Sequence, residues 1–195
     1  MILLFFACAQ TDAGFDTSAD DTGATVATVP FGAILVNEVM FDPSLVDGDF
    51  GEWIELRNVS DDAVDLEGVI LQDDDAAGFL IEGSLPVPPG GMVVLGPSAD
   101  SAVNGGIPID YPYSIDAVKL GNEGDTLTVV SGGVTLDTFT WDATVFTVAE
   151  GTALQLSPTV SDPDDNDAVG AWCLATAAYG GGDLGTPGAA NGACK

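Results

Sequence analysis

The stretch GEWIELRN (residues 51–58) alternates apolar and polar side chains in the way that a β-strand requires. With a period of two residues, Ile54 and Leu56 share one face of the strand, which we expect to pack in a core. Trp53 and Glu55 share the opposite face. Trp53 is then either covered by a loop or part of an outer apolar patch.

Short runs rich in Val, Ile, Leu, Thr and aromatic residues recur between turn signals from residue 33 onward. The runs are AILVNEVMF, EWIELRN, VDLEGVILQ, GFLIEG, GMVVLG, AVKLGN, DTLTVVS, VTLDTFTW and TALQLS. Gly132 and Gly133 are expected to form a two-residue hairpin loop. No run shows sustained helical periodicity. About eight or nine short strands with this spacing predict an all-β fold, an antiparallel β-sandwich.

The charge balance excludes several partners. The chain has 3 Lys and Arg residues against 31 Asp and Glu residues, a formal net charge of -28. Binding nucleic acid requires basic side chains that displace counterions from phosphates, so nucleic acid and anionic membrane surfaces are excluded. We expect the fold to rely on salt screening or on bound cations. The absence of histidine excludes Ser-His-Asp and Cys-His catalysis and the usual zinc sites.

The N-terminus MILLFFACAQ resembles the end of a bacterial lipoprotein signal, in which a small residue precedes a lipidated cysteine, here Cys8. The apolar run is shorter than a normal signal core, and no Lys or Arg precedes it. A hydrophobic terminus with a chance cysteine is the alternative. We predict a leader over residues 1–8, an acidic disordered tether over 9–32 and a β-sandwich over 33–195. The protein is expected to be an outer-membrane or cell-surface lipoprotein, or otherwise secreted, with a lipid anchor as its only membrane contact.

Cys173 and Cys194 fit an oxidising compartment. A disulfide between them would close a loop of about 20 residues and stabilise the fold by ~3 kcal/mol in the chain-entropy model. Two unrelated free thiols are the alternative. With Cys8 lipidated and Cys173 paired with Cys194, no cysteine is left as a nucleophile.

Several motifs together resemble the bacterial lamin tail domain family. The segment ILVNEVMFDPSLVDGDFGEWIELRNVSDDAVDLEGVIL carries the family's N-E-V strand, acidic loop, G-E-W-I-E-L strand and N-x-S pattern. The later pieces IEGSLPVPPGGMVVLG, KLGNEGDTLTVVSGGVTLDTFTW, GTALQLSP and GTPGAAN follow in the family's order. Val69 departs from the pattern, since members commonly carry Trp there. The family-motif residues of this chain are Asn37, Glu38, Glu52, Trp53, Glu55 and Asn58.

The resemblance implies an immunoglobulin-like antiparallel β-sandwich, in agreement with the strand pattern. It implies little about activity, because bacterial members occur on exported proteins as accessory modules, often beside enzymes. The chromatin contacts of nuclear lamins are not expected here, because the chain lacks the basic surface that they need.

A carboxylate-pair glycoside hydrolase is one functional candidate. Glu38, Glu52 and Glu55 would supply the acid and the base, which stand roughly 5–9.5 Å apart in such enzymes. The alternative is that these side chains accept hydrogen bonds from backbone amides at strand ends or pair with Arg57 and Lys119. We favour the alternative and predict no catalytic residues.

Calcium binding is a second candidate. The segment SDPDDNDAVG offers oxygen ligands at alternating positions, as in the first part of an EF-hand loop. The candidate ligands are Asp162, Asp164, Asn166 and Asp167. The segment lacks the Gly and Glu that complete such a loop, and a solvated acidic turn is the alternative.

A surface module that adheres to an unknown protein or glycan is the third candidate. Loops of an immunoglobulin-like sandwich suit that role. The aromatic residues that could make contacts, unless they pack in the core or under loops, are Trp53, Tyr111, Tyr113 and Trp141. We expect a non-catalytic structural or adhesive module. The runners-up are a calcium-stabilised binding accessory to an exported hydrolase and the glycoside hydrolase.

Overall fold

Strands make up most of the regular structure in the computed structural model, which describes residues 28–74, 78–146 and 148–194. In chain order they are β1 (Ile34–Met40), β2 (Trp53–Asn58), β3 (Val64–Asp65), β4 (Val69–Gln72), β5 (Phe79–Leu80), β6 (Pro86–Val87), β7 (Met92–Gly96), β8 (Tyr111–Pro112), β9 (Gly124–Ser131), β10 (Val134–Asp142), β11 (Leu154–Leu156) and β12 (Trp172–Leu174). A helical turn, α1 (Gly48–Gly51), precedes β2, and a 3-10 turn (Val169–Ala171) precedes β12. None of the helices in the described ranges is long and apolar enough to cross a membrane.

The strands form two main sheets and one small one. The first sheet has the order β12-β11-β1-β2-β7-β8, the second has the order β10-β9-β4-β5, and β3 pairs with β6. All strand pairs are antiparallel except β7 with β8. The protein is therefore an immunoglobulin-like antiparallel β-sandwich, as predicted.

The main core lies between the two sheets. Ile54 and Leu56 of β2 are fully buried there, in one cluster with Leu71 of β4 and Leu127 of β9. Burying an aliphatic side chain of this size contributes about 1.5–3 kcal/mol. Trp53 belongs to a second, smaller cluster on the outer face of the six-stranded sheet. The period-two interpretation of GEWIELRN is thus confirmed, and a cover, not an exposed patch, lies over Trp53.

Two β-bulges place extra side chains inside. The register shifts between Val36 and Glu38 where β1 pairs with β2. It shifts again between Thr135 and Asp137 where β10 pairs with β9. An extra residue in one strand disturbs the strict alternation of faces. A polar residue, Asp137, is therefore buried beside Leu136.

The hairpin prediction is confirmed. Ser131 pairs with Val134, and Gly132 and Gly133 between them have φ values of 57° and 80°. A two-residue loop with positive φ at both positions matches the twist of the flanking strands and favours glycine.

The run AVKLGN was wrongly predicted to be a strand. Residues 117–122 form turns and irregular backbone. VDLEGVILQ is divided by a turn at Gly68, which has a φ of 82°. The short strands β6, β8 and β12 were not predicted. Residues 28–32 were assigned to the tether, yet Val29 packs in the core and donates its N–H to Ser131 Oγ at 3.0 Å.

Candidate functional site

Glu52 belongs to a group of three carboxylates that hold one irregular segment. The consecutive amides of residues 119–121 each donate to a carboxylate from a different part of the chain. Lys119 N lies 2.9 Å from Asp73 Oδ2, and Leu120 N lies 2.9 Å from Glu52 Oε2. Gly121 N lies 3.0 Å from Asp125 Oδ2. These bonds satisfy backbone donors that a strand ladder would otherwise pair.

Glu38 and Glu55 form a second group on the outer face of the six-stranded sheet. They stand opposite each other in the pairing of β1 with β2, and neither is accessible to solvent. Both reach the same C-terminal segment. Thr186 N lies 3.0 Å from Glu38 Oε1, and Gly188 N lies 2.6 Å from Glu55 Oε2.

Two asparagines complete this second group. Asn191 donates from Nδ2 to the backbone oxygens of Asn37 at 2.9 Å and Leu156 at 2.8 Å. Its Oδ1 accepts from Asn37 Nδ2 at 3.3 Å. Asn37 Nδ2 also lies 2.6 Å from Glu55 Oε1. The C-terminal segment GTPGAAN is thus attached to the NEV and GEWIEL motifs by side-chain hydrogen bonds.

Burial changes the acidity of these carboxyls. Loss of solvent raises the pKa of Glu38 to about 8, against hydrogen bonds from Thr186 that lower it. Burial raises the pKa of Glu55 to about 7, despite its bonds from Asn37 and Gly188. Burial likewise raises the pKa of Glu52 to about 7, although the Leu120 amide and Lys119 favour its charged form. Desolvation dominates in all three because a charged carboxylate loses its hydration.

The predicted calcium ligands do not all face one point. The side chains of Asp162, Asp164 and Asp167 are exposed, whereas Asn166 is buried with 1% of its surface accessible. Asn166 Nδ2 donates to both oxygens of Asp137 at 3.0 and 2.8 Å. Among the residues that the structure describes, no group of three or more His, Cys, Asp or Glu side chains could hold a metal ion. Calcium binding by this loop stays a prediction.

The motif asparagine Asn58 closes a loop. Its Nδ2 donates to the backbone oxygens of Asp62 and Val87, and its Oδ1 accepts from Ser60 N and Oγ. Every polar atom of this fully buried side chain therefore has a partner. Its role is to fix the turn that follows β2.

The aromatic residues proposed as contacts are mostly inside. Trp53 is fully buried and donates from Nε1 to Tyr179 OH at 3.1 Å. Trp141 is 1% exposed and stacks on Phe41. Tyr113 is 7% exposed, and only Tyr111 is half-buried.

Cys173 and Cys194 form a disulfide with their Cα atoms 5.5 Å apart. This bond joins β12 to the C-terminal end and closes the segment that carries Thr186 and Asn191. Cys8 lies outside the described residues, so its lipidation stays a prediction.

A family model identifies the domain. The sequence model of the Lamin Tail Domain family matches residues 28–143, more than half of the 195 residues. The chain belongs to the lamin tail domain family. A comparison with curated proteins finds no match. In this lamin tail domain, the disulfide and the segment that binds Glu38 and Glu55 lie beyond the matched range.

The contacts of the three motif glutamates indicate a structural role. The three motif glutamates are 0–2% exposed and accept hydrogen bonds from the chain's own backbone. A glycosidase pair must contact a sugar and a water molecule, which these buried oxygens do not reach. Sequence reasoning identified the glutamates but missed their backbone partners, Thr186, Gly188 and Leu120, and the supporting Asn191. The signal for Thr186, Gly188 and Asn191 was the family-like GTPGAAN segment, and Leu120 lies in the family-like piece that begins with KLGNEGD.

Proposed function

We propose that this protein is a non-catalytic binding module that is exported, held at the cell surface through Cys8, and adheres there to a glycan or protein. The proposal rests on the use of the motif glutamates. Glu38, Glu52 and Glu55 are buried and hydrogen-bonded within the domain. A partner would therefore contact the loop surface. The disulfide supports an oxidising compartment outside the cytosol.

One concave surface is available for such a partner. A cleft of about 590 Å³ lies between the prolyl turn after β6, the loop after β2 and residues 158–161. Pro89, Met92 and Val160 give it apolar walls, and Arg57 lines it as one of only three basic residues of the chain. Arg57 donates to the backbone oxygens of Pro158, at 3.4 Å, and Val160. Mixed apolar and polar linings of this kind are typical of binding sites.

The experiment compares two exposed serines. Ser161 lines the cleft, whereas Ser101 lies in a separate turn. Full-length protein is incubated with purified peptidoglycan sacculi and with intact cells, and the retained fraction is measured. Ser161→Arg is expected to reduce retention at least tenfold, a loss of about 1.4 kcal/mol. Ser101→Arg adds the same charge and is expected to bind like the wild type. Equal retention of both variants and the wild type would refute binding through the cleft.

Anchoring is tested separately. Full-length protein is expected to fractionate with membranes, and Cys8→Ala is expected to leave the membrane fraction. A Cys8→Ala protein that stays with membranes would contradict the lipid anchor without affecting the binding proposal.

The two alternative functions, a glycoside hydrolase and a calcium-stabilised accessory, can each be tested directly. A glycoside hydrolase built on the motif would lose activity in both Glu38→Gln and Glu52→Gln. Hydrolysis of a polysaccharide panel by the wild type, absent in both variants, would overturn the proposal. A calcium-stabilised accessory to an exported hydrolase would instead bind its partner enzyme only with calcium present, which pull-down with and without chelator measures.

A further inference from the structure

The C-terminal strap (residues 185–194) covers the outer face of the six-stranded sheet. Gly185 packs so closely that a Cβ on it would lie 2.9 Å from Trp53 Cζ2. Glu38 and Glu55 lie beneath the strap and bind its Thr186 and Gly188 amides. The strap has no strand pairing of its own. Apart from one backbone bond, from Gly185 N to Ala177 O at 2.8 Å, its attachment therefore depends on side-chain hydrogen bonds and on the disulfide.

The hydrogen bonds of the Thr186 hydroxyl indicate whether Glu38 is protonated. The Thr186 hydroxyl oxygen lies 2.8 Å from Glu38 Oε2 and 3.0 Å from Asn191 Oδ1. Asn191 Oδ1 can only accept, because its Nδ2 donates to two backbone oxygens. A hydroxyl has one proton to give. Both short contacts become hydrogen bonds when Glu38 is protonated and donates to Thr186, and Thr186 donates to Asn191.

Glu55 takes the opposite role. Both of its oxygens face donors, Asn37 Nδ2 and Gly188 N, each at 2.6 Å. That arrangement suits a carboxylate, since a charged acceptor makes the shorter and stronger bonds. A charged Glu55 directly opposite Glu38 also disfavours a second negative charge there. Between the pKa of Glu55, about 7, and that of Glu38, about 8, the cross-strand pair thus holds one proton, on Glu38.

The other ionisable groups near the pair do not cancel this effect. From the segment before the strap, Tyr179 faces Glu38, and Asp183 lies beside that tyrosine. Arg57 favours the charged form of Glu55, whereas Asp110 opposes it. Gln155, the β11 residue opposite Glu38, does not titrate. No cation among the described residues compensates a charge on Glu38 itself.

We propose that the C-terminal strap is a pH-sensitive clasp, closed while Glu38 carries a proton and loosened when that proton is lost. Ionisation removes the proton between Glu38 and Thr186 and places two carboxylates opposite each other. Cys194 keeps the loosened strap attached to β12 through Cys173, so the opening is reversible. Opening would uncover the part of Trp53 that Gly185 covers and the sheet face beneath Thr186 and Gly188. The clasp is argued without the binding role proposed above, but Ala190 and Asn191 of the strap also line the cleft, so opening would change that cleft as well.

Hydrogen exchange of the strap tests the clasp. Amide protection factors for residues 185–194 are measured in the oxidised full-length protein by mass spectrometry and corrected for intrinsic exchange. If the open state has an ordinary glutamate pKa of 4.5 and the closed state one of about 8, opening becomes up to tenfold more favourable per pH unit between them. Above about pH 7, where Glu55 is ionised, protection should therefore fall up to tenfold per unit, and it should level off above about pH 8.

Two variants give matched controls. Glu38→Gln keeps a donor and an acceptor in place but cannot ionise, so its strap protection is expected to be independent of pH above about pH 7, where Glu55 is already ionised. Glu52→Gln removes a buried glutamate that binds Leu120, away from the strap, and should keep the wild-type dependence of the strap. Strap protection that does not change with pH in the wild type, or that changes equally in Glu38→Gln above about pH 7, would overturn the clasp.

A second measurement uses only the wild-type protein and so does not depend on whether a variant folds. The carboxyl carbon shift of ¹³C-labelled Glu38 is followed against pH by NMR in the wild type. A midpoint well above the ordinary glutamate value, coincident with the loss of strap protection, is expected. A carboxylate that stays ionised down to about pH 5 would overturn the proposal.

Discussion

Raising the pH from about 5 to 7 is expected to destabilise the domain, because buried glutamates bind protons more tightly in the folded chain than in the unfolded one. Glu52 illustrates the sign. Its pKa rises from 4.5 to about 7 on folding, so the folded state carries more protons between these values. The free energy of unfolding must then fall as the pH rises through that window, and Glu38 and Glu55 act in the same direction.

The magnitude for one residue follows from proton linkage. A group that is protonated in the folded state and ionised in the unfolded state changes stability by about 1.4 kcal/mol per pH unit. Glu52→Gln cannot titrate, and its side-chain oxygen still accepts from Leu120 N. The stability of the wild type relative to this variant should therefore fall by about 2 kcal/mol between pH 5 and 6.5.

Urea unfolding followed by circular dichroism provides the assay, at half-unit pH steps in about 0.5 M NaCl. High salt shortens the Debye length to about 4 Å and suppresses repulsion among surface charges. Glu82→Gln removes an exposed glutamate by the same substitution and serves as the matched control. A wild type that grows more stable towards pH 7, or a constant difference between wild type and Glu52→Gln, would refute the reasoning.

Three further outcomes are expected. Asn191→Ala should lower the free energy of unfolding by about 3 kcal/mol, because two buried backbone oxygens lose their donor; a urea unfolding loss below 1 kcal/mol would contradict this. Reducing the Cys173–Cys194 bond, with a sequence separation of 21, should cost about 3 kcal/mol in the same assay, and an unchanged midpoint would show that the bond contributes no stability. Calcium at about 1 mM should raise the thermal midpoint because it offsets part of the net charge of -28. An equal thermal midpoint in calcium and in chelator would contradict that expectation. If calcium raises the midpoint less in Asp164→Asn than in Asp116→Asn, calcium binds at the 162–167 loop.

The strands with strict alternation were predictable from the sequence. In GEWIELRN the apolar period places Ile54 and Leu56 in the core, and Gly132-Gly133 specifies the hairpin by its backbone freedom. Both signals are local, because side-chain direction and turn geometry depend on neighbouring residues.

AVKLGN shows where local reasoning fails. Val118 and Leu120 are buried two residues apart, as in a strand, yet their segment has no partner strand. Its amides bond instead to carboxylates from residues 52, 73 and 125. Which of 31 acidic residues would be buried, and against which amide, depends on contacts between distant parts of the chain. The partners of Glu38 and Glu55 were missed for the same reason.

The buried carboxyls share one structural logic. Each accepts from backbone that the strand ladders do not reach: Glu52 at residue 120, Glu38 and Glu55 in the strap, and Asp137 at the Val36 amide. β11 pairs with β1 only at Glu38 and Val39, so Val36 lies beyond the end of that ladder. An apolar residue at any of these positions would leave a buried N–H unpaired, at a cost of about 1–3 kcal/mol. The motif glutamates resemble a catalytic acid pair, but the fold uses their oxygens to accept hydrogen bonds from backbone amides that no strand pairs. Their pKa values are raised because this role buries the carboxyl groups.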